Sequence, residues 1–261
     1  MFELCWNITA KCNMGCKYCH RFLNLDNLSK EENFQILQNI IDAGIKNVTW
    51  TGGEALLIPY LPELLKTAHE AGIKNKMITN GILLTDETLE KISPYMDLIT
   101  FSLDSTDAQI NEKLGRGADH FVRIADRIDA VQKYSHIKIK INSVLTKINK
   151  EDLYKLGEYM KSKGLDSWRI FKFLPIRELS LTNREMFDIS QEEYDEVLSK
   201  LKKDFPELGA EQRTMNEFQA FYLLILANGD FVITKNNKDI KIGSALKDSM
   251  KDVLLKKAQA A

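Results

Sequence analysis

Cys12-Asn-Met-Gly-Cys16-Lys-Tyr-Cys19 is the stretch on which the reading of this chain turns. Three cysteines at CxxxCxxC spacing follow directly on a run, residues 4–9, whose composition predicts a strand. Thiolates are the usual protein ligands of iron–sulfur clusters, and three of them leave one iron of a [4Fe–4S] cube without a protein ligand. A small molecule can bind at that iron, which suits chemistry more than electron storage. Two other readings stay open at this point. A structural zinc site would draft Cys5 or His20 as a fourth ligand, although paired zinc-ribbon spacing is absent and Cys5 falls where a buried strand residue is expected. A thioredoxin-like pair would use Cys16 and Cys19 and leave Cys12 unexplained.

Outward from the cysteines, short apolar runs alternate with amphipathic helical patterns, the mark of repeated βα units and a parallel sheet. Ser29-Lys-Glu-Glu32 is a capping box that opens a helix with Phe34, Leu37, Ile40 and Ile41 on one face. Strands are predicted over residues 48–51, 76–79, 98–103, 137–145 and 168–174, with helices over residues 62–72, around Leu89 and Ile92, from Phe121 to Val131 and behind Asn149. With the first strand this makes six units: an α/β chain forming a partial (β/α)6 barrel, open along one side, over residues 1–175. Residues 176–261 are expected to form a small C-terminal extension packed on the barrel. In it, residues 179–186 are polar and irregular, suited to a lid across the open side. Ser190-Gln-Glu-Glu193 is a second capping box, residues 222–234 read as a hairpin around Asn228-Gly229, and residues 245–256 as a last helix.

Composition narrows the class. A chain of 261 residues holds one large α/β domain with a sizeable core. A net charge of −1 leaves no electrostatic footprint for nucleic acid or an anionic membrane. Three of only four cysteines are clustered, which argues against a disulfide scaffold and for a reducing compartment. Apolar runs such as residues 222–227 are too short to span a bilayer. No signal peptide precedes the first strand, so the expectation is a soluble, cytoplasmic protein.

Cys12, Cys16 and Cys19, with the aromatic Tyr18 before the last, resemble the signature of the radical S-adenosylmethionine (radical SAM) superfamily. Thr51-Gly52-Gly53-Glu54 resembles its Gly-Gly-Glu element, and Ser102-Leu103-Asp104 its ribose-side element after the fourth strand. The resemblance implies a [4Fe–4S] cluster on the three cysteines and SAM as cofactors. It also implies a flavodoxin- or ferredoxin-type electron donor, and reductive cleavage of SAM to a 5′-deoxyadenosyl radical that abstracts a hydrogen atom from substrate. On this reading Gly52 and Gly53 let the backbone approach a ligand closely, and Glu54 accepts from the SAM ammonium. Ser102, Asp104 and Asn142 offer polar contacts, and Ile170 and Phe171 flank the adenine with Tyr18 nearby. Turn formation for Ser102 and Asp104, and plain core packing for the apolar residues, stand beside those roles.

Within the superfamily, the stretches Leu114-Gly115-Arg116-Gly117, Lys140-Ile-Asn142-Ser-Val144 and Trp168-Arg169-Ile170-Phe171, with the Tyr222 run, are similar to prokaryotic viperin-like nucleotide dehydratases. That similarity implies a nucleoside triphosphate substrate held by Arg116, Lys140 and Arg169, to which Lys172 is added. Guanidinium forks match phosphate oxygens, and an inward lysine on a barrel strand needs an anionic partner. Tyr222 is the candidate late hydrogen donor or substrate contact. There are two departures from that pattern. Asn24 stands where viperin-like sequences carry a lysine, with Arg21 as the nearest replacement, and the sequence ends soon after Leu255. A peptide-modifying maturase is the alternative enzyme, and a cluster-containing redox protein the alternative of another class.

Overall fold

Six strands in a row place their amide ladders side by side because each is followed by a helix that returns the chain over the outer face. The computed structural model describes residues 3–213, 222–235 and 238–260. Within them β1 (Glu3–Asn7), β2 (Asn47–Thr51), β3 (Lys74–Thr79), β4 (Leu98–Ser102), β5 (Lys138–Leu145) and β6 (Trp168–Lys172) pair in sequence, all parallel. The helices between them are α1 (Lys30–Asp42), α2 (Leu61–Glu70), α3 (Asp86–Ile92), α4 (Ala108–Leu114), α5 (His120–Gln132) and α6 (Leu153–Ser162). The Ser29 box forms as expected: Ser29 Oγ accepts from Glu32 N (3.2 Å) and Glu32 Oε2 accepts from Ser29 N (2.8 Å).

Beyond β6 come α7 (Glu178–Thr182), α8 (Arg184–Phe187), α9 (Gln191–Asp204), β7 (Glu211–Arg213), β8 (Tyr222–Ile225), β9 (Asp230–Lys235), β10 (Lys238–Ser244) and a last helix, Met250–Ala260. β7 joins β6 in parallel, and β8 joins the far side of β1. The sheet therefore runs β10-β9-β8-β1-β2-β3-β4-β5-β6-β7, a partial barrel whose edges are not paired among the described residues. Curvature brings the two ends together: Arg169 Nη1 on β6 donates to Tyr222 Oη on β8 at 2.9 Å, although the two strands lie far apart in the strand order.

Period-two alternation sorts the strand residues into two faces. On β5, Ile141 and Leu145 join the core under the helices, while Asn142 and Val144 face the barrel interior. The core between sheet and helices includes Trp6 stacked on Trp50 (5.0 Å between ring centres) and Trp168, whose Nε1 donates to Ser143 Oγ (2.9 Å). Among the described residues no helix is long and apolar enough to cross a membrane.

The structure departs from expectation in four places. Residues 179–186 are not irregular: they form most of α7 and α8, and Phe187 at their end packs on Tyr18 and Phe173. The seven-residue α4, capped by Asp107, carries too little periodicity to be foreseen. β7 is three residues long and β10 half-polar, so neither has a strand signature. The last helix begins at Met250 rather than residue 245, because Ala245 N is drawn into a turn by Gly229 O (2.7 Å).

Candidate functional site

The carboxyl ends of the strands surround a cavity of about 290 Å³, whose walls include Cys12, Cys16, Cys19, Ser102, Asn142 and Phe171. Loops from several strands converge at this face, which is where barrel enzymes place their chemistry. All three cysteines of the loop after β1 reach the cavity as free, partly exposed thiols. Burial pushes the thiols of Cys12 and Cys19 up. A bound metal reverses that preference, because its charge deprotonates a coordinating thiol. Three sulfur donors around one cavity, unlinked by disulfides, fit three irons of a cluster.

The cysteine loop is clamped from every side. Gly53 N donates to Thr9 O (2.7 Å) and Glu54 N to Lys11 O (2.9 Å). Lys17 N donates to Leu114 O (3.0 Å), and Asn183 Nδ2 to Lys17 O (2.9 Å). Asn80 Nδ2 holds Asn13 Oδ1 (2.8 Å), and Arg177 Nη1 holds His20 O (3.0 Å). The two glycines serve this clamp. A Cβ on Gly52 would lie 2.4 Å from Thr9 O, and one on Gly53 only 2.0 Å from Lys11 O. The close approach seen here is to the chain's own backbone, and both glycines also line the cavity.

Glu54 is fully engaged in the same way. Its Oε1 accepts from Leu56 N (3.2 Å) and Thr79 Oγ1 (2.8 Å), and its Oε2 from Asn80 N (2.8 Å). Burial pushes its carboxyl up, against the pull of those three donors. It ties the turn after β2 to the end of β3, and its outward face still borders the cavity.

Asp104 and Arg116 pair with each other at the cavity wall. Arg116 Nε and the Tyr18 hydroxyl both donate to Asp104 Oδ2, while Val144 N donates to Oδ1 (2.7 Å). The ion-paired side chains are 5% and 1% exposed, and Arg116 lies over the Tyr18 ring at 5.6 Å. Buried charges must pair, and this pair also holds Tyr18, the residue between Cys16 and Cys19. Arg116 and Asp104 both line the cavity too, so the ion pair stands at its wall. Tyr18 is likewise a buried strut against Phe187 as well as a wall of the cavity.

Ser102 and Asn142 are cross-strand neighbours on the cavity wall. Asn142 Oδ1 is buried without a hydrogen-bond partner among the described residues, a costly state unless a ligand supplies the donor. Phe171 faces the cavity, but Ile170 points the other way into the core, because adjacent strand residues alternate. Lys172 borders the cavity as well, while its Nζ reaches Gln191 Oε1 (3.4 Å) at the start of α9. Of the two, Ile170 is therefore not placed as expected, while Lys172 stays at the cavity edge.

One layer below the cavity floor, Lys140 Nζ donates to Glu211 Oε2 (3.0 Å), as do Arg169 Nε (3.0 Å) and Nη2 (2.8 Å). Burial works to raise the Glu211 carboxyl, but the hydrogen bonds from Lys140 and Arg169 outweigh it and bring it down to about 2. Tyr222 joins this cluster through Arg169 and also lines the cavity. Among residues the sequence reading passed over, Arg177 lies over the Phe22 ring (4.1 Å) and pairs with Asp239 from β10. Beside them burial, with Arg177 adding to it and Asp239 opposing, pulls the His20 imidazole down to about 4, so it is neutral at pH 7. Arg21 also lines the cavity, and its Nε is buried without a partner among the described residues. Arg21 is the residue already singled out in the sequence as the nearest replacement for the lysine absent at Asn24.

An open parallel barrel with three convergent thiols at its carboxyl face defines an enzyme built to carry a cysteine-held cofactor. The sequence profile of the Radical SAM superfamily matches residues 6–160, and the chain belongs to that superfamily. It is a radical SAM enzyme, and its cofactors are a [4Fe–4S] cluster and S-adenosylmethionine. It is 30% identical over 212 residues to an S-adenosylmethionine-dependent nucleotide dehydratase of Flammeovirga pacifica, covering 76% of this chain and 72% of that one. A protein of the same description from Lacinutrix mariniflava is 30% identical over 239 residues, 87% of this chain but only 49% of its own length. Among solved structures, Streptococcus suis SuiB bound to S-adenosylmethionine superposes with a TM-score of 0.79 at 19% identity, covering 97% of this chain and 65% of that one. At that identity the likeness is one of fold.

Proposed function

We propose that this chain is a nucleotide dehydratase of the radical SAM type, acting on a nucleoside triphosphate with electrons from a flavodoxin- or ferredoxin-type donor. The observation that carries the reading is the pair of inward cations, Lys140 and Arg169, set two residues before Asn142 and Phe171 on their strands. By strand rise that is about 7 Å below the cavity wall, a distance suited to phosphates hanging beneath a nucleoside. The similarity to two proteins described as nucleotide dehydratases supports it.

In this reading Cys12, Cys16 and Cys19 hold the cluster. When bound, cluster and SAM together supply a 5′-deoxyadenosyl radical for hydrogen-atom abstraction. Ser102, Asn142 and Phe171 orient the SAM nucleoside, and the backbone at Gly53 and Glu54 fixes the loop around it. Arg21 offers an anion contact on the cavity side where Asn24 provides none. Tyr222, hydrogen-bonded to Arg169 and facing the cavity, is the candidate for a substrate contact or a late hydrogen donor.

The test is 5′-deoxyadenosine release by reduced, reconstituted protein with SAM, comparing added CTP, UTP, GTP or ATP with none. One nucleotide is expected to stimulate release. Arg169→Ala should raise the concentration needed for half-maximal stimulation roughly 10- to 30-fold, the worth of one charge-assisted hydrogen-bond pair. Release that no nucleotide stimulates would overturn the reading and turn attention to peptide substrates.

A further inference from the structure

The two cations of the proposed phosphate site are already occupied by an anion of the chain itself. Oε2 of Glu211 takes hydrogen bonds from Lys140 Nζ and from both Nε and Nη2 of Arg169, the edge of the guanidinium that grips an oxyanion in a fork. We propose that Glu211 is a built-in competitor for that site: its carboxylate stands where a phosphate of the substrate binds, and the polyphosphate enters by displacing it. The proposal rests on the nucleoside triphosphate reading above for the identity of the incoming anion.

Burial explains why such an occupant is present. The side chains of Lys140 and Arg169 are only 11% and 14% exposed. Two neighbouring cations in that setting need an anion whether or not substrate is bound, since each without a partner bears its full desolvation cost. Glu211 differs from both. Its side chain is 48% exposed and it belongs to β7, a three-residue edge strand. A carboxylate so placed recovers hydration on leaving, which offsets part of the pairing it gives up.

Arg169 can make the exchange without losing its place. Nη1 stays on Tyr222 Oη while the Nε–Nη2 edge passes from carboxylate to phosphate. The guanidinium thereby links the anion site to a side chain that lines the cavity.

The test is calorimetric binding of sodium tripolyphosphate, and separately of CTP, UTP, GTP and ATP, to the reconstituted wild-type protein, Glu211→Gln and Glu211→Gln/Arg169→Ala. Removing the competing charge should tighten tripolyphosphate binding about tenfold, because the competent state no longer has to be freed first. The double variant should lose that gain. A second measurement needs no variant: on wild-type protein, tripolyphosphate should speed backbone hydrogen exchange in the peptide carrying residues 211–213. Equal or weaker binding by Glu211→Gln, no binding to either protein, or exchange at β7 unchanged at saturating anion would each overturn the proposal. If nucleotides bind wild type and Glu211→Gln equally, the competitor falls and the nucleotide reading stands. If tripolyphosphate shows the gain but no nucleotide binds, the competitor stands and the nucleotide reading falls.

Discussion

Gly53→Ala is expected to abolish cluster assembly and to lower the melting temperature by roughly 6–12 °C, taking about 3 kcal/mol for an overpacked site and 2–4 °C per kcal/mol in a chain of this size. The added Cβ would lie 2.0 Å from the Lys11 carbonyl oxygen, 2.4 Å from its carbon and 2.8 Å from Ala10 O. All three atoms are backbone, so no rotamer change relieves the clash. Only movement of the chain does, and it would break the bonds from Gly53 N to Thr9 O and Glu54 N to Lys11 O. Cys12 follows Lys11 directly, so the displacement falls on the first thiol. Iron and sulfide per chain after anaerobic reconstitution, with a melting curve, make the measurement. Gly15→Ala is the control, since Gly15 sits inside the same loop and a Cβ there would meet no described atom within 4 Å. Normal iron content in Gly53→Ala would show that the turn after β2 does not set the loop.

What was legible in the sequence was whatever is local. The cysteine spacing, the two capping boxes and the alternation along β5 each involve residues a few positions apart, and each is found where expected. Ile170 and Phe171 could have been separated by the same logic, because neighbours on one strand cannot flank one ligand. The rest is tertiary. Nothing in the sequence says that Asp104 and Arg116 satisfy each other, since an unpaired Arg near a glycine turn reads equally as a phosphate ligand. Glu211 is invisible for a different reason: a three-residue strand has no period, and its partners lie 42 and 71 residues away. Gly52 and Gly53 read as sites of close approach, but that Thr9 and Lys11 of another loop crowd them is a tertiary fact.

Arg116→Ala should therefore act on stability before it acts on substrate. Asp104 would remain buried with a charge that Tyr18 Oη and Val144 N only partly satisfy. Breaking a buried pair from one side costs about 3–5 kcal/mol, which corresponds to a fall of roughly 6–20 °C in melting temperature. Because Asp104 also anchors Tyr18 between two of the cysteines, iron content should fall in parallel. Asp104→Asn combined with Arg116→Met removes both charges, and a buried pair replaced as a whole loses far less than one cut in half. The double variant is accordingly expected to melt closer to wild type than Arg116→Ala does, and the difference measures the coupling. A phosphate ligand would behave in the opposite way. Its removal would leave a stable, iron-replete protein with weakened nucleotide binding, and that result for Arg116→Ala would return Arg116 to the substrate site and leave Asp104 to Tyr18 alone.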